Sequence, residues 1–361
     1  MDSEKTIVIV FADPDIDEDD ESLKMLFDAY PDSSIVGCST AGEIFEDELY
    51  SGSLVAAVIC FDCTEVSVAA CDVESYSNDF VLGEALIRKL DGRDDLRAVF
   101  VLSDGLAVNG SELTRGINRS IESSDVVVTG ALAGDGDRFQ ATWVIVDRKL
   151  KRNHVTAVGF YGDSIYVGYG SQGGWDRFGI DRRVTRSEGN VLYTLDDKPA
   201  LELYKRYLGE YADELPASGL LFPLQIKGEG EIKKVRTIVG VNEEENSITF
   251  AGDIEEGSCV SFMKANFDNL VSGAEQAAMH IDRDDYDGED ALLIAVSCVG
   301  RRLVLGQRSE DELEVVRDIF PPSVRMIGFY SYGEISTGTP GRCDLLNQTM
   351  TLTWIREKCA Q

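Results

Sequence analysis

Positively charged residues are scarce in this sequence of 361 residues. Lys and Arg together number 34 against 65 Asp and Glu, which gives a formal net charge of −31 at pH 7. Nucleic-acid binding depends on Lys and Arg that neutralise phosphates, and anionic membranes attract the same residues. The composition therefore predicts a protein that binds neither nucleic acid nor an anionic membrane surface.

Long apolar runs are also missing. No segment approaches the ~20 consecutive apolar residues of a transmembrane helix. The first five residues lack the basic start of a signal peptide. We therefore expect a cytoplasmic protein without membrane insertion. The eight cysteines lie mostly inside short apolar runs, which favours buried free thiols over disulfides.

The charged residues are unevenly distributed by type. Asp (36) outnumbers Glu (29), and Arg (22) outnumbers Lys (12). Short, strongly hydrated carboxylates suit a protein that stays soluble in concentrated salt, where screening shortens the range of repulsion. The pattern indicates a halophilic source. An ordinary acidic cytoplasmic protein is the alternative that composition leaves open.

Hydrophobic residues make up 43% of the chain, enough for a sizeable core. The length suggests about two domains at ~150 residues each. Apolar runs such as 7–12 and 98–102 alternate with amphipathic stretches such as 19–30 and 110–120. This alternation predicts an α/β fold, with a mixed α+β arrangement as the alternative. We expect an N-terminal domain over residues 1–190 and a C-terminal domain over residues 191–361.

The sequence contains an internal repeat. Residues 23–31 match 313–321 position by position, and residues 37–44 match 328–335 after one extra residue in the second copy. A fainter third copy runs from residue 98 to residue 135. The repeat predicts two pseudo-repeated modules of duplicated βαβ-type units, with mixed sheets covered by helices. Duplication alone explains it, but loops at equivalent strand ends can also converge on a ligand.

Two glycine-rich segments, 37–42 and 130–136, lie at the ends of predicted strands. Glycine lets backbone amides approach a ligand closely. Neither segment continues into the Gly-Lys-Ser/Thr of a P-loop or fits Gly-x-Gly-x-x-Gly, so nucleotide binding is not predicted. Tight turns alone and a small-anion or amino-acid pocket are the two interpretations left open.

Motifs for metal binding and catalysis are weak. Cys60 and Cys63 form a Cys-x-x-Cys pair without a second pair, whereas a structural zinc site needs four ligands. His154 and His280 belong to no recognisable Ser/His/Asp or Cys/His set. We therefore expect no metal site and no catalytic residue. Either histidine can ligate haem iron, which makes haem the alternative cofactor.

Arg301 and Arg302 are adjacent cations at the end of an apolar run in an otherwise acidic chain. Guanidinium groups bind carboxylates in bidentate geometry. A ligand carboxylate and a structural ion pair to Glu43, Glu334 or Asp135 are equal alternatives for their partner.

Taken in order along the chain, these segments resemble the FIST family. The matching segments are 36–44, 130–136, 170–175, 184–185, 189–192, 199–204, 208–209, 298–302 and 329–335. The resemblance covers the chain nearly end to end. It implies an intracellular sensory protein with N-terminal and C-terminal FIST regions. Such a protein binds a small ligand, for which amino acids have been proposed, and reports to signalling machinery. Some relatives bind haem and sense nitric oxide.

We expect a sensory protein that binds an amino acid or similar small polar metabolite and signals in trans to a partner such as a histidine kinase or chemotaxis component. The predicted pocket lies between the halves, with backbone amides and Arg for a carboxylate, Glu for an amine and aromatic walls. Its predicted residues are Gly37, Cys38, Ser39, Gly42, Glu43, Gly130, Gly134, Asp135, Trp175, Arg301, Arg302, Tyr330, Gly333 and Glu334. The alternatives are a haem-based gas sensor that uses His154 or His280 and an enzyme that uses Cys38 or Glu43.

Overall fold

The computed structural model describes residues 2–90, 95–121, 123–215, 217–227, 234–283, 286, 288–339 and 341–358. Its β-strands are β1 (Thr6–Ala12), β2 (Ser34–Ser39), β3 (Glu43–Phe45), β4 (Glu48–Tyr50), β5 (Leu54–Cys60), β6 (Glu65–Asp72), β7 (Leu96–Ser103), β8 (Val127–Leu132), β9 (Val144–Val146), β10 (Lys149–Lys151), β11 (His154–Tyr161), β12 (Ile165–Gln172), β13 (Asp176–Glu188), β14 (Val191–Leu195), β15 (Lys198–Pro199), β16 (Leu224–Lys227), β17 (Lys234–Arg236), β18 (Ile238–Asn242), β19 (Ser247–Phe250), β20 (Cys259–Lys264), β21 (Ala291–Cys298), β22 (Val324–Ser331), β23 (Gly333–Thr339), β24 (Arg342–Leu346) and β25 (Met350–Glu357).

The α-helices are α1 (Glu21–Ala29), α2 (Asp79–Leu90), α3 (Gly110–Ser120), α4 (Ala200–Leu208), α5 (Phe267–Met279), α6 (Val299–Leu305) and α7 (Ser309–Arg317). Four of them begin after a polar side chain that accepts hydrogen bonds from the first free backbone amides: Asp20 before α1, Asn78 before α2, Asn109 before α3 and Asn266 before α5. None of the helices among the described residues is long and apolar enough to cross a membrane.

Three sheets form the core of the molecule. Each contains one pair of parallel strands joined by helix: β1 and β2 through α1, β7 and β8 through α3, and β21 and β22 through α6 and α7. On the other side of each pair, an antiparallel strand follows: β5, β11 and β25 respectively. The apolar faces of these strands pack against one another in the interior, where most of their residues are buried.

The hairpin after each parallel pair joins a different sheet. Strands β3 and β4 extend the sheet of β22, β9 and β10 extend the sheet of β2, and β23 and β24 extend the sheet of β8. We call each parallel pair, with its helix, its hairpin and its antiparallel strand, a unit. The three units exchange hairpins in a cycle, so each sheet holds strands from two of them. Residues from both halves of the chain therefore build the core.

Glycine is required where the parallel strands approach each other most closely. A Cβ atom on Gly37, Gly130 or Gly328 would lie 2.2, 2.0 or 1.8 Å from a backbone carbonyl oxygen of the neighbouring strand. Gly37 and Gly130, which were expected at the ends of strands, lie inside β2 and β8, since each strand continues for two more residues. Their function in this structure is strand packing.

A fourth sheet, in the order β17-β16-β20-β13-β14-β19-β18, lies between residues 176 and 264. Helix α4 packs on it around a separate apolar cluster that includes Leu201, Tyr204 and Phe262. The predicted α/β class with mixed sheets and helices is confirmed. The predicted domain boundary at 190/191 falls in the turn between β13 and β14 and stays a prediction.

Most cysteines with an assigned environment match the expectation of buried thiols. Four free thiols are buried: Cys38, Cys71, Cys298 and Cys343. Cys60 is exposed at the end of an outer strand, so the expectation of burial is wrong there. The expectation of a free thiol is wrong for Cys63, which is disulfide-bonded.

Candidate functional site

The C-terminal ends of the three parallel pairs meet in a ring of backbone hydrogen bonds. The amide of Gly134 donates to Ser39 O at 3.0 Å, Ala41 donates to Tyr330 O at 2.8 Å, and Tyr332 donates to Leu132 O at 3.1 Å. The ring brings together three sequence segments that were predicted to converge: those around Ser39, Gly134 and Tyr330. These backbone groups are satisfied by one another.

Two buried carboxylates lie beside this ring in matching environments. Glu43 accepts from Thr40 and, at 2.7 Å, from the Ser53 hydroxyl; Glu334 accepts from the hydroxyls of Ser331 and Thr349, each at 2.9 Å. Burial raises the pKa of Glu43, and it raises the pKa of Glu334 to about 7. Both are fully buried and bound by protein hydroxyls, so neither faces an open cavity.

The two predicted arginines are also bound to protein. All five N–H groups of Arg301 have acceptors: its Nε and Nη2 bind the Glu312 carboxylate, and its remaining donors bind backbone carbonyls. Arg302 donates to Ala41 O and lies over the Tyr330 ring at 5.8 Å. Gly42 lies next to the Arg302 guanidinium, where a larger residue would collide with it. Of the two alternatives for Arg301, the structure contains the structural ion pair, but the expected partners Glu43, Glu334 and Asp135 are wrong, because the partner is Glu312.

Three other predicted residues have protein partners. Tyr330 is fully buried, and its hydroxyl donates to Glu312 at 2.9 Å. Cys38 is fully buried, and burial raises the pKa of its thiol well above the usual range. Trp175 donates from Nε1 to Gln348 O at 2.9 Å. An accessible thiolate, which a nucleophilic Cys38 would need, is therefore disfavoured here.

Asp135 organises the loop after β8. Its carboxylate accepts backbone N–H groups from Phe139 at 2.9 Å and from Gln140 and Ala141 at 2.8 Å each, and it also accepts the Tyr332 hydroxyl. Burial raises the pKa of Asp135, but these hydrogen bonds outweigh burial and hold it below its ordinary value. Asp135 thus fixes the loop that carries Phe139.

A cleft of about 980 Å³ opens between the core and the fourth sheet. The core contributes residues from 105–110 and 298–304 together with Leu132, Phe139 and Tyr332, and the other wall comes from residues within 214–221, 237–239 and 250–252. The cleft thus draws on both halves of the chain, and its volume is within the range of small-molecule sites.

Large apolar side chains are exposed inside this cleft. Leu106, Phe139, Val239 and Leu303 all line it and are 42%, 49%, 43% and 46% exposed. Exposing apolar surface to water costs free energy, so a cluster of such residues in a concave surface is typical of a binding site.

Several polar side chains of the cleft are bound to protein: Asn109 donates to Asp253, Asn190 to Phe250 O and Ser218 to Tyr211 O. The Thr237 hydroxyl is buried at the wall of the cleft and has no hydrogen-bond partner in the described part of the chain. Asp137 and Glu214 are the charged residues among the described lining, which contains no Lys, Arg or His. The cleft therefore offers a hydroxyl and carboxylates, but no cationic side chain, to a ligand.

The predicted site residues do not themselves line this cleft. Some are direct neighbours of lining residues: Asp135 binds Tyr332, Arg301 follows Gly300, and Gly333 follows Tyr332. Sequence reasoning missed the cleft because its walls come from segments far apart in the chain. The signal that could have indicated it is the set of apolar residues in turn segments, such as Leu106 and Phe139.

A second, smaller cavity of about 620 Å³ lies beside β12 and is lined by Trp175 and His280 among others. His280 is exposed at the end of α5, while His154 begins β11 with its Nδ1 2.7 Å from Arg152 O. The described lining of this cavity contains Ser, Gln and Thr side chains but no Lys or Arg. Within the described residues, no cluster of three or more His, Cys, Asp or Glu could hold a metal ion.

Known proteins that are similar to this chain include a curated relative and several solved structures, among them a chorismatase and a cyanuric acid hydrolase. An uncharacterised protein of Methanocaldococcus jannaschii, MJ1623, is 24% identical over 359 residues, covering 87% of this chain and 67% of that protein. A crystal structure of chorismatase has a TM-score of 0.37 at 10% identity, covering 98% of this chain and 94% of that one. A cyanuric acid hydrolase from A. caulinodans has a TM-score of 0.19 at 10% identity, covering 82% of this chain and 100% of that one.

The family comparison covers nearly the whole chain. The FIST N domain matches residues 6–198, and the FIST C domain matches residues 200–337. These domains are sensory, small-ligand-binding domains of signal transduction. With both regions present in order, this chain belongs to the FIST family.

Proposed function

We propose that this protein is a sensor that binds an amino acid or similar small metabolite in the 980 Å³ cleft and signals in trans. A histidine kinase or a chemotaxis component is the kind of partner we expect. The observation that carries the proposal is the combination, in one cleft, of four exposed apolar side chains and a buried Thr237 hydroxyl without a partner. An unsatisfied buried hydroxyl costs free energy that a bound ligand can recover.

The charges of the cleft define how an amino acid would bind there. Asp137 and Glu214 attract an amino group, and the Thr237 hydroxyl is the unpartnered donor that a ligand carboxylate would take. Arg301 is not assigned to the ligand, because all its donors are engaged in a buried network. The apolar side chain of the ligand would cover Leu106, Val239 and Leu303.

The test uses thermal unfolding with a panel of the twenty amino acids, because a ligand that binds only the folded state raises the unfolding temperature. Each amino acid that raises the unfolding temperature is then titrated calorimetrically into the wild type and into Thr237→Val. This substitution removes the hydroxyl with little change of shape. We expect the variant to fold and to bind about 5- to 10-fold more weakly, the effect of one hydrogen bond.

Thr156→Val is the matched control. Its hydroxyl is also buried without a partner in the described structure, but it lies in β11 and not in the cleft. This variant should bind like the wild type. The absence of any stabilising amino acid at millimolar concentrations, or equal weakening by both variants, would contradict the proposed site.

Haem is the alternative because His280 lines the smaller cavity. A haem protein would show a Soret band after purification or reconstitution, and His280→Ala would lose it while His154→Ala would keep it. A protein that stays colourless with excess haem removes this alternative. An enzyme using Cys38 would instead show rapid alkylation of that thiol, and an enzyme using either Cys38 or Glu43 would show turnover when metabolites are assayed for conversion.

A further inference from the structure

Phe139 presents to the cleft an exposed aromatic ring that is stacked on a buried one. The residue lies in the loop between β8 and β9, lines the cleft, and is 49% exposed. Its ring stacks on the ring of Tyr332, with the centroids 4.6 Å apart and the planes at 10°. Tyr332 is itself buried, so the pair forms a platform with a supported inner ring and an exposed outer ring.

The position of the platform is fixed by the loop that carries it. Phe139 has a φ of +51°, a conformation that bulky side chains rarely adopt and that costs free energy. The Asp135 carboxylate holds the loop through three consecutive backbone amides, and it also accepts the Tyr332 hydroxyl. The Arg138 side chain adds a bond to Asp135 O at 2.9 Å and a surface ion pair to Asp15.

This arrangement does not serve the core. A phenylalanine that stabilised the fold would bury its ring, whereas nearly half of Phe139 faces solvent. One carboxylate therefore holds both the strained loop and the supporting tyrosine, and the product of that arrangement is an exposed aromatic face. Backbone strain held in place by such a network is typical of functional sites.

We infer that the ligand of the cleft carries a planar aromatic ring that stacks on the outer face of Phe139. This inference rests on the proposed function and narrows its ligand to the aromatic amino acids. A flat ring gains contact over a whole aromatic face with little loss of conformational freedom, which an aliphatic side chain cannot match. Asp137, two residues away in the same loop, provides a carboxylate for the amino group.

The experiment compares L-phenylalanine and L-tryptophan with L-leucine by calorimetric titration of the whole chain. Leucine is the matched probe because it shares the amino-acid backbone and a large apolar side chain but lacks a ring. We expect the two aromatic probes to bind at least about 10-fold more tightly than leucine. Phe139→Leu should weaken the aromatic probes about 3- to 10-fold and leave leucine unchanged.

Two further variants complete the design. Phe139→Trp keeps a ring at the position, should retain the aromatic preference, and adds an indole whose fluorescence responds when a ring stacks on it. Phe45→Leu is the control, since Phe45 is 41% exposed on β3 and does not line the cleft. This variant should bind all three probes like the wild type.

The outcomes separate the inference from the proposed function. Leucine binding as tightly as phenylalanine, with Thr237→Val still weakening both, would overturn the aromatic ligand and leave the amino-acid sensor intact. An equal loss of affinity for all three probes in Phe139→Leu would likewise overturn the aromatic ligand and leave the amino-acid sensor intact. If no amino acid binds, the proposed function and the inference both fail.

Discussion

The guanidinium of Arg301 donates to the carboxylate of Glu312 with Nη2 2.6 Å from Oε2, and both side chains are fully buried. Ser297 and Tyr330 also donate to this carboxylate, at 2.8 and 2.9 Å. The Glu312 carboxylate on α7 therefore binds Arg301 on α6, Ser297 on β21 and Tyr330 on β22. The ion pair of Arg301 and Glu312 places two opposite charges in the interior of a protein whose net charge is −31.

Breaking this pair from one side should strongly destabilise the fold. Glu312→Gln leaves the Arg301 cation buried without its counter-charge, which costs about 3–5 kcal/mol. Urea unfolding of the variant and the wild type measures the loss. The exposed pair of Arg206 and Glu202 is the control, because Glu202→Gln should change stability by less than about 1 kcal/mol. Equal effects of the two substitutions would contradict the buried role of Arg301.

Glu334 should make stability fall as pH rises towards neutrality. Burial raises its folded-state pKa from 4.5 to about 7, so between these values the folded protein holds a proton that the unfolded chain has lost. The contribution of this proton to the free energy of unfolding is fully present below pH about 4.5. It is lost as the pH rises to about 7, a loss of roughly 3 kcal/mol.

The measurement compares urea midpoints of the wild type and Glu334→Gln from pH 4 to pH 8. Glutamine carries no titrating proton, so the variant should gain stability relative to the wild type as pH rises through this window. Other carboxyls, including Glu43, titrate in both proteins and cancel in the difference. Parallel profiles would show that Glu334 does not titrate there.

The glycines between the parallel strands should not tolerate a methyl group. Gly37→Ala would place its Cβ 2.2 Å from Val10 O, so the strands must separate, and we expect a loss of about 1–3 kcal/mol or more. Gly240→Ala is the control because its nearest non-bonded atom lies 3.7 Å away. Thermal unfolding of both variants measures the loss of stability. Comparable melting temperatures would mean that β1 and β2 can accommodate a methyl group at Gly37.

Salt should stabilise the protein if its acidity reflects a halophilic source. Repulsion among surface carboxylates at a net charge of −31 weakens as salt shortens the screening length. We expect the unfolding temperature to rise between low salt and molar KCl. An equimolar neutral solute is the control for non-electrostatic effects. Equal stability with and without salt would favour an ordinary acidic protein.

Local patterns were sufficient for many individual elements. The apolar runs 7–12 and 98–102 lie in β1 and β7, and the amphipathic stretches 19–30 and 110–120 contain α1 and α3, because apolar periodicity acts over a few neighbouring residues. The short hairpins β3–β4 and β23–β24 were not predicted. Their pairing partners lie in another unit, which no local pattern indicates.

In the candidate site, too, some features follow from local sequence and others only from tertiary contacts. The sequence by itself determined that Arg301 is an unusual cation and that Gly37 and Gly130 are special positions. Only the tertiary structure decided that Glu312 neutralises Arg301 and that the glycines space parallel strands. It also decided that Phe139, an apolar residue in a turn segment, faces a cleft. Short-range periodicity determines the elements, and the ordered motif segments indicate the family. The partner of a charge or the exposure of a ring depends instead on contacts between residues that are far apart in the chain.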